Sequence, residues 1–258
     1  MAGIRTVALI ERKTDITRDL FSRYWRDVHG VMAARIPGFA RYTQYHVTPK
    51  KGHETGKNFE GIALVSFATE EARGGLANSA VTRHIHRDEQ NVFRRALLYN
   101  LAEGAYVSGG LGTDMAEMTQ RFYVLPSGQD AQQFQHILRS AGCACQDIYD
   151  LRTGDPSAWN ETDASDGGDG ETFIALVHAG WQDMAKADKA EQGIGEHIGI
   201  YHLDNSYVMV DDGFPTAIGL RGLDAVRTIM EADAVNQLAA EVVEDIYGAG
   251  LVPVEQRA

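Results

Sequence analysis

The chain has 258 residues, of which 44% are hydrophobic, and its formal net charge at neutral pH is −12. A chain of this length forms one large domain or two small ones, and its apolar content suffices for a packed core. The negative charge makes nucleic acid and anionic membranes poor partners. No apolar run reaches the roughly 18 residues of a membrane span, and no secretory signal is evident, so we expect a cytoplasmic protein.

The first part of the chain alternates between strand and helix patterns. Strand patterns fall at residues 4–11, 40–47, 60–67 and 96–107. Helical patterns begin at residues 17, 69 and 81. The order is β-α-β-β-α-β, which is the ferredoxin-like split βαβ unit.

The same order then repeats after Gly109–Gly112, a Gly-rich stretch that we interpret as a linker. Strand patterns fall at residues 118–125, 146–152, 172–178 and 197–210, the last with a possible break at Asp204–Asn205. Helical patterns fall at residues 130–141, 181–192 and, as an extra C-terminal segment, 223–247. The sequence therefore predicts two tandem units, residues 1–112 and 113–258.

Two features of the second unit invite a metal or redox interpretation. Cys143 and Cys145 are too close in sequence for an unstrained disulfide and give only a weak zinc signal, so we expect two reduced thiols. Residues 155–171 are acidic and Gly-rich. They lack the regular ligand spacing of a calcium loop, so we predict a mobile surface loop.

Residues 17–46 carry most of the candidate chemistry. Thr17 is a suitable N-cap for a helix, because its hydroxyl can accept a hydrogen bond from a first-turn amide. Apolar residues then recur at helical spacing, and we expect them to form the buried arc: Leu20, Phe21, Tyr24, Trp25 and Val28. His29 falls at the rim of this arc, and Pro37-Gly38 ends the segment.

The strand that follows places Tyr42, Gln44 and His46 on one face by simple alternation. His29 is open to two interpretations. It is either a helix-end histidine that pairs with the last carbonyls, or an imidazole beside an apolar cleft that moves protons near neutral pH.

These residues resemble a known family. Tyr24-Trp25-Arg26-Asp27-Val28-His29-Gly30, then Pro37-Gly38-Phe39 and an aromatic-rich strand through His46, are similar to the EthD-like family of the dimeric α/β-barrel superfamily. The likeness covers about the first 110 residues. It implies a cofactor-free enzyme that acts on aromatic or polyketide-like small molecules. Some relatives in the superfamily bind haem, although this motif does not imply it.

The resemblance, together with the repeat, predicts an α+β fold. Two tandem ferredoxin-like units would pack their sheets together in a dimeric-α/β-barrel-like arrangement, with the extra C-terminal helical segment outside. An isolated unit would leave one apolar sheet face bare, so residues 1–112 alone should aggregate or dimerise. Pairing within one chain leaves the oligomeric state open, and a homodimer is possible.

We expect the site in the first unit, which holds the denser set of proton-transferring side chains. The candidate catalytic residues are His29, His46 and Tyr42, and the candidate substrate-binding residues are Phe21, Tyr24, Trp25, Gln44, His84 and His86. The His84-x-His86 spacing also suggests a metal. On a helix, however, the two rings lie about 200° apart, and no third ligand can be named, so we expect no metal.

These residues predict an enzyme with a general acid/base histidine, lyase-like or dehydratase-like, that needs no cofactor and has a small molecule as its partner. Two alternatives stay open. One is a cofactor-free monooxygenase of the same superfamily, and the other is a small-molecule-binding accessory protein without turnover.

Overall fold

The computed structural model describes residues 4–53, 58–75, 79–108, 115–153, 173–239 and 242. The strands are β1 (Ile4–Arg12), β2 (Phe39–Pro49), β3 (Phe59–Phe67), β4 (Phe93–Asn100), β5 (Tyr106–Ser108), β6 (Thr119–Pro126), β7 (Cys145–Asp150), β8 (Phe173–Trp181), β9 (Gly199–Asp211) and β10 (Phe214–Pro215). The α-helices are α1 (Arg18–Tyr24), α2 (Gly30–Ala33), α3 (Glu70–Gly74), α4 (Ala80–Val92), α5 (Ala131–Ser140), α6 (Met184–Glu191), α7 (Ala217–Arg221) and α8 (Leu223–Glu231). A π-helical turn (Trp25–His29) joins α1 to α2, and 3₁₀ turns occupy Leu151–Thr153 and Val235–Leu238.

The strands form two ferredoxin-like sheets that are hydrogen-bonded to each other. The first unit has the order β4-β1-β3-β2, and the second has the equivalent order β9-β6-β8-β7. Strand β2 pairs with β9 along most of its length, from Tyr42 opposite Val210 to Pro49 opposite Tyr201. The α+β fold with two tandem ferredoxin-like units and added C-terminal helices is therefore confirmed.

A short connection after β4 links the two outer edges of the sheet. We predicted one strand over residues 96–107, but the chain leaves the sheet after Asn100, turns at Gly104 and pairs with the second unit as β5. The amide of Leu101 bonds to the Arg5 carbonyl at 2.9 Å, and the amide of Asp150 bonds to the Ala105 carbonyl at 2.8 Å. The curled sheet is thus bridged by backbone hydrogen bonds to both units.

Three apolar cores follow from this arrangement. The central core lies between the two sheets and takes side chains from both units, among them Leu9, Ile62, Val124, Leu176 and Tyr201. The other two cores lie between each sheet and its own helices. The predicted face-to-face packing of the two sheets is what buries the central core.

Several predicted boundaries were wrong. Trp181 ends β8, and the following helix begins only at Met184, after its Asp183 cap. Strand β9 continues through Asp204, which Thr48 on the paired strand β2 holds by a 2.9 Å hydrogen bond. The C-terminal helix predicted over residues 223–247 is shorter, because α8 ends at Glu231 and a 3₁₀ turn follows at Val235–Leu238.

The Gly109–Gly112 linker and the acidic loop at residues 155–171 lie outside the described residues. The division into residues 1–112 and 113–258 stays a prediction. Cys143 and Cys145 are free thiols, as expected, and burial raises the pKa of Cys143 to about 11. In the part of the chain that the structure describes, no helix is long and apolar enough to cross a membrane.

Candidate functional site

The helix that carries His29 changes its winding part-way along. It begins as expected, with the Thr17 hydroxyl accepting the Leu20 amide at 3.1 Å. After Tyr24 the helix widens into the π turn, and it continues as α2 from Gly30 to Ala33. Irregular turns of this kind often occur at functional sites.

The π turn alters which side chains are buried. Leu20 and Val28, which we assigned to the buried arc, are 41% and 43% exposed, so that assignment was wrong. Phe21, Trp25 and His29 are buried instead. A π turn contains more than 3.6 residues, so steps of four residues stay on one face.

Gln44 on β2 fastens the π turn to the sheet. Its amide Nε2 donates to the Trp25 carbonyl at 2.9 Å and to the Tyr42 hydroxyl at 2.8 Å. A Cβ added at Gly30 would lie 2.5 Å from the same Nε2 atom. Gly30 thus permits the close approach of helix and strand that positions His29.

His29 forms a buried pair with Asp88 of α4. Its Nδ1 lies 3.0 Å from Asp88 Oδ2, and Oδ1 of the same carboxyl accepts the Tyr24 hydroxyl at 2.5 Å and the Asn91 amide at 3.1 Å. Burial by itself raises the pKa of Asp88, but the hydrogen bonds from His29 and Tyr24 outweigh it, so the pKa is lower than usual. Asp88 is therefore a carboxylate at neutral pH.

The ionised carboxylate determines the tautomer of a neutral His29. A carboxylate only accepts hydrogen bonds, so Nδ1 carries the proton and Nε2 keeps its lone pair. Among the described residues, no hydrogen bond engages His29 Nε2. This arrangement presents a base that Asp88 orients from behind.

His29 lines a cavity of about 70 Å³ between the helices of the first unit and its sheet. The walls are mostly apolar and aromatic, and the polar side chains among them are those of Thr6, His29, Tyr42 and Glu89, with the indole of Trp25. Burial raises the pKa of Tyr42, so its phenol stays protonated at neutral pH and can donate to a ligand oxygen.

Three of the nine predicted site residues line this cavity, namely His29, Tyr42 and Trp25. Phe21, Tyr24 and Gln44 lie behind them: Phe21 stacks on Trp25 with ring centroids 5.7 Å apart, while Tyr24 and Gln44 hold Asp88 and the π turn. These three residues support the cavity wall and are not part of it.

His46 is not among the residues that line the cavity. Its ring packs at a tilt of 31° against the Trp25 ring, with centroids 4.6 Å apart, and its Nδ1 lies 2.8 Å from the Ser22 hydroxyl. Burial and the positive charges of Arg26 and Arg18 lower its pKa to about 3. His46 is therefore neutral at physiological pH, and the structure does not bring it to the same place as His29.

His84 and His86 also lie away from the cavity. His84 is exposed on α4 and His86 is half-buried, while the cavity is lined by Ile85 and Glu89 of the same helix. Within the described ranges, no group of three or more His, Cys, Asp or Glu side chains is arranged to hold a metal ion.

Asp88 and Glu89 were not among the predicted site residues. Both are buried on α4, on the side that also buries Ile85 and Val92. Carboxylates within the i, i+3, i+4, i+7 stripe of an amphipathic helix are unusual, because burying a charge is costly unless it is paired. Carboxylates at apolar-stripe positions of this helix were therefore the sequence feature that could have indicated Asp88 and Glu89.

A family match covers this part of the chain. Residues 13–95 match the model of the EthD domain family. The EthD-like resemblance noted in the sequence is thereby confirmed, and the matched residues include both His29 and Asp88.

About four fifths of the chain is similar in structure to several solved proteins. An anthrone oxidase-like protein aligns with a TM-score of 0.49 and 9% identity, over 81% of this chain and 94% of its own. A putative monooxygenase from Lactobacillus acidophilus aligns with a TM-score of 0.43 and 11% identity, over 81% of this chain and 98% of its own. A putative monooxygenase from Fusobacterium nucleatum aligns with a TM-score of 0.45 and 7% identity, over 83% of this chain and 96% of its own. No curated protein matches the sequence.

Proposed function

We propose that this EthD-domain protein is an enzyme that acts on an aromatic or polyketide-like small molecule and uses His29 as its general acid/base, without a cofactor. The observation that carries the proposal is the His29–Asp88 pair at the wall of an apolar, aromatic cavity. A carboxylate that orients a neutral imidazole leaves the opposite nitrogen available for proton transfer.

The reaction that we favour is a lyase-like loss of water from a hydroxylated substrate. His29 Nε2 takes a proton from carbon, and the released electron pair forms a double bond as the adjacent C–O bond breaks. The imidazolium returns that proton to the departing oxygen, so water leaves and His29 is neutral again. Asp88 stabilises the transient imidazolium, and the Tyr42 phenol holds a ligand oxygen.

A second reaction begins with the same proton transfer. The apolar lining would also admit molecular oxygen, so the carbanion formed beside His29 could react with O₂ in a cofactor-free monooxygenase. One oxygen atom would become the product's new carbonyl oxygen, and the other would leave as water with the two hydrogens of the oxidised carbon. The third possibility, a binding protein without turnover, requires that a ligand be recovered unchanged.

The test is deuterium exchange into 2-tetralone, an uncharged bicyclic ketone with an acidic C–H bond next to its carbonyl. We expect the protein in D₂O to accelerate loss of that proton signal above the buffer rate, and His84→Ala, at an exposed histidine, to match the wild type. An oxygen electrode run in parallel separates the two reactions: exchange without oxygen uptake favours the lyase-like reaction. A rate equal to that of buffer contradicts a catalytic base in this cavity.

A further inference from the structure

A second, larger cavity adjoins the one beside His29. It has a volume of about 290 Å³ and lies between the start of β2, the N-terminal end of α3 and the Asp212–Gly213 turn. Ile36 and Phe39 line both cavities. These two side chains are therefore the shared wall between an inner chamber, which contains His29, and an outer chamber, which contains Asp212.

We propose that the two chambers form one substrate site, that Phe39 is the gate between them, and that the ligand is an uncharged aromatic molecule of two or more fused rings. The proposal rests on the proposed function in one respect, because it places the reacting end of the ligand in the inner chamber beside His29.

The volumes support a two-chamber site. The inner chamber alone holds little more than a few water molecules, whereas ligand pockets usually span roughly 300–1,000 Å³. Together the two chambers reach the lower end of that range. A ligand with an inner ring beside His29 and an outer ring beyond Phe39 would use both.

The charges of the lining residues select against an anionic ligand. Among the described residues, neither chamber is lined by a lysine or arginine, and each has one acidic residue, Glu89 in the inner chamber and Asp212 in the outer. A carboxylate ligand would lose hydration without gaining a cationic partner. A neutral hydroxyl or ketone loses less favourable hydration than a carboxylate does. It can also form hydrogen bonds with Tyr42, Thr69 or Asp212.

The backbone around Phe39 is irregular where the two chambers meet. The β2–β3 register shifts between Phe39 and Arg41, and Gly38 before it has a left-handed φ of 92°. The Phe39 ring packs edge-on against Tyr42 and Phe67, with centroids 5.6 and 5.4 Å apart. Bulges next to a site commonly serve to aim one side chain, and rotation of this ring would join the chambers.

Calorimetric titration at pH 7 tests the ligand class with two probes that share a ring system. 2-Naphthol is uncharged and 2-naphthoate is an anion. We expect 2-naphthol to bind at least tenfold more tightly than 2-naphthoate. Equal affinities, or no saturable binding of 2-naphthol up to about 1 mM, would overturn the proposed class.

Two matched variants test the outer chamber. Ala68 is exposed and lines only that chamber, so Ala68→Trp should fill it and weaken 2-naphthol binding at least tenfold. Glu71, exposed on the adjoining helix and not among the lining residues, provides the control Glu71→Trp, which should bind like the wild type. Unchanged binding by Ala68→Trp would overturn the two-chamber site.

Phe39→Ala tests the gate by stopped-flow association of 2-naphthol. Removal of the ring should raise the association rate at least tenfold, and an unchanged rate in a folded variant would overturn the gating role. If this variant does not fold, Phe39→Leu is measured in its place against the same criterion. None of these measurements needs turnover, so binding as expected by an inactive protein would refute the catalytic proposal and leave the ligand class intact.

Discussion

The Nδ1 atom of His29 lies 3.0 Å from the Oδ2 atom of Asp88, although the two residues are 59 positions apart in the sequence. The π turn supplies the imidazole and α4 supplies the carboxylate, so the pair exists only once both helices pack on the sheet. The hydrogen bonds of Tyr24 and Asn91 to the same carboxyl fix its orientation.

Asp88→Asn tests whether this carboxylate positions the base. The amide keeps the shape of the carboxyl but removes the charge that stabilises an imidazolium, so we expect the exchange rate of 2-tetralone to fall about tenfold or more. The apparent KM should stay within about twofold, because Asp88 does not line the cavity. A merely structural role would change KM and stability together.

Tyr24→Phe is the matched control for that measurement. It removes one hydrogen bond to Asp88 but leaves the charge and the His29 contact in place. A single hydrogen bond contributes about 0.5–1.5 kcal/mol, so the loss of rate should be smaller than in Asp88→Asn. An equal loss in both variants would contradict the role assigned to the carboxylate charge.

Gly61→Ala should destabilise the first unit. A Cβ at this position in β3 would lie 2.7 Å from Trp25 Cζ3 and 2.8 Å from Cη2, and the Trp25 side chain is fully buried. We expect a loss of about 1–3 kcal/mol in the free energy of unfolding, the usual cost of overpacking. Urea denaturation measures it.

Gly74→Ala provides the comparison. No heavy atom outside the immediate chain lies within 4 Å of a Cβ at that helical position, so the substitution should be neutral or slightly stabilising. If both alanine variants unfold at the same urea concentration, the close approach of Trp25 to Gly61 does not make a side chain at position 61 destabilising, and the prediction is wrong.

A buried ion cluster connects the two units. The Glu191 carboxylate on α6 accepts from Arg121 Nε at 2.8 Å, Lys50 Nζ at 2.7 Å and His202 Nε2 at 3.2 Å. Burial alone raises the pKa of Glu191, but the bonds from His202 and Lys50 outweigh it and bring the pKa to about 2. Lys50 follows β2 of the first unit, so the cluster crosses between the units.

Glu191→Gln should therefore lower stability in a pH-dependent way. The folded-state pKa lies below the ordinary value of 4.5, so the carboxylate stabilises the fold above about pH 4.5, and this contribution is lost as the pH falls towards about 2. At pH 7 we expect a deficit of about 1.5–3 kcal/mol, as for hydrogen bonds to charged groups.

Urea denaturation of wild type and Glu191→Gln at several pH values measures this dependence. The difference in free energy of unfolding between the two proteins should decrease as the pH falls below about 4.5. Glu196→Gln, at an exposed site, should have the stability of the wild type at every pH. A gap that stays constant down to the lowest pH at which the protein folds would contradict the assignment.

Local patterns predicted the elements of the fold well. The Thr17 cap, the stop at Pro37-Gly38 and the strand alternation of Tyr42, Gln44 and His46 all depend on neighbouring residues, which is why they were visible in the sequence. The break between β4 and β5 was not visible, because pairing with β7 in the second unit decides it.

The site was only partly predictable for the same reason. His29 and Trp25 stand out in the motif, but the π turn that buries them depends on the hydrogen bond from Gln44 to the Trp25 carbonyl. Asp88 is far from the motif, and only the packing of α4 brings it to His29. His46 looked equivalent to His29 in sequence, yet it contacts Ser22 and the Trp25 ring and is not among the residues that line the cavity.

The most direct test of the central claim, that His29 is the base, is deuterium exchange of 2-tetralone by His29→Ala with and without added imidazole. We predict a rate about 10²–10⁴-fold below the wild type, partial recovery with imidazole in the vacated space, and a near wild-type rate for His46→Gln. A folded His29→Ala protein that exchanges at the wild-type rate would contradict the account.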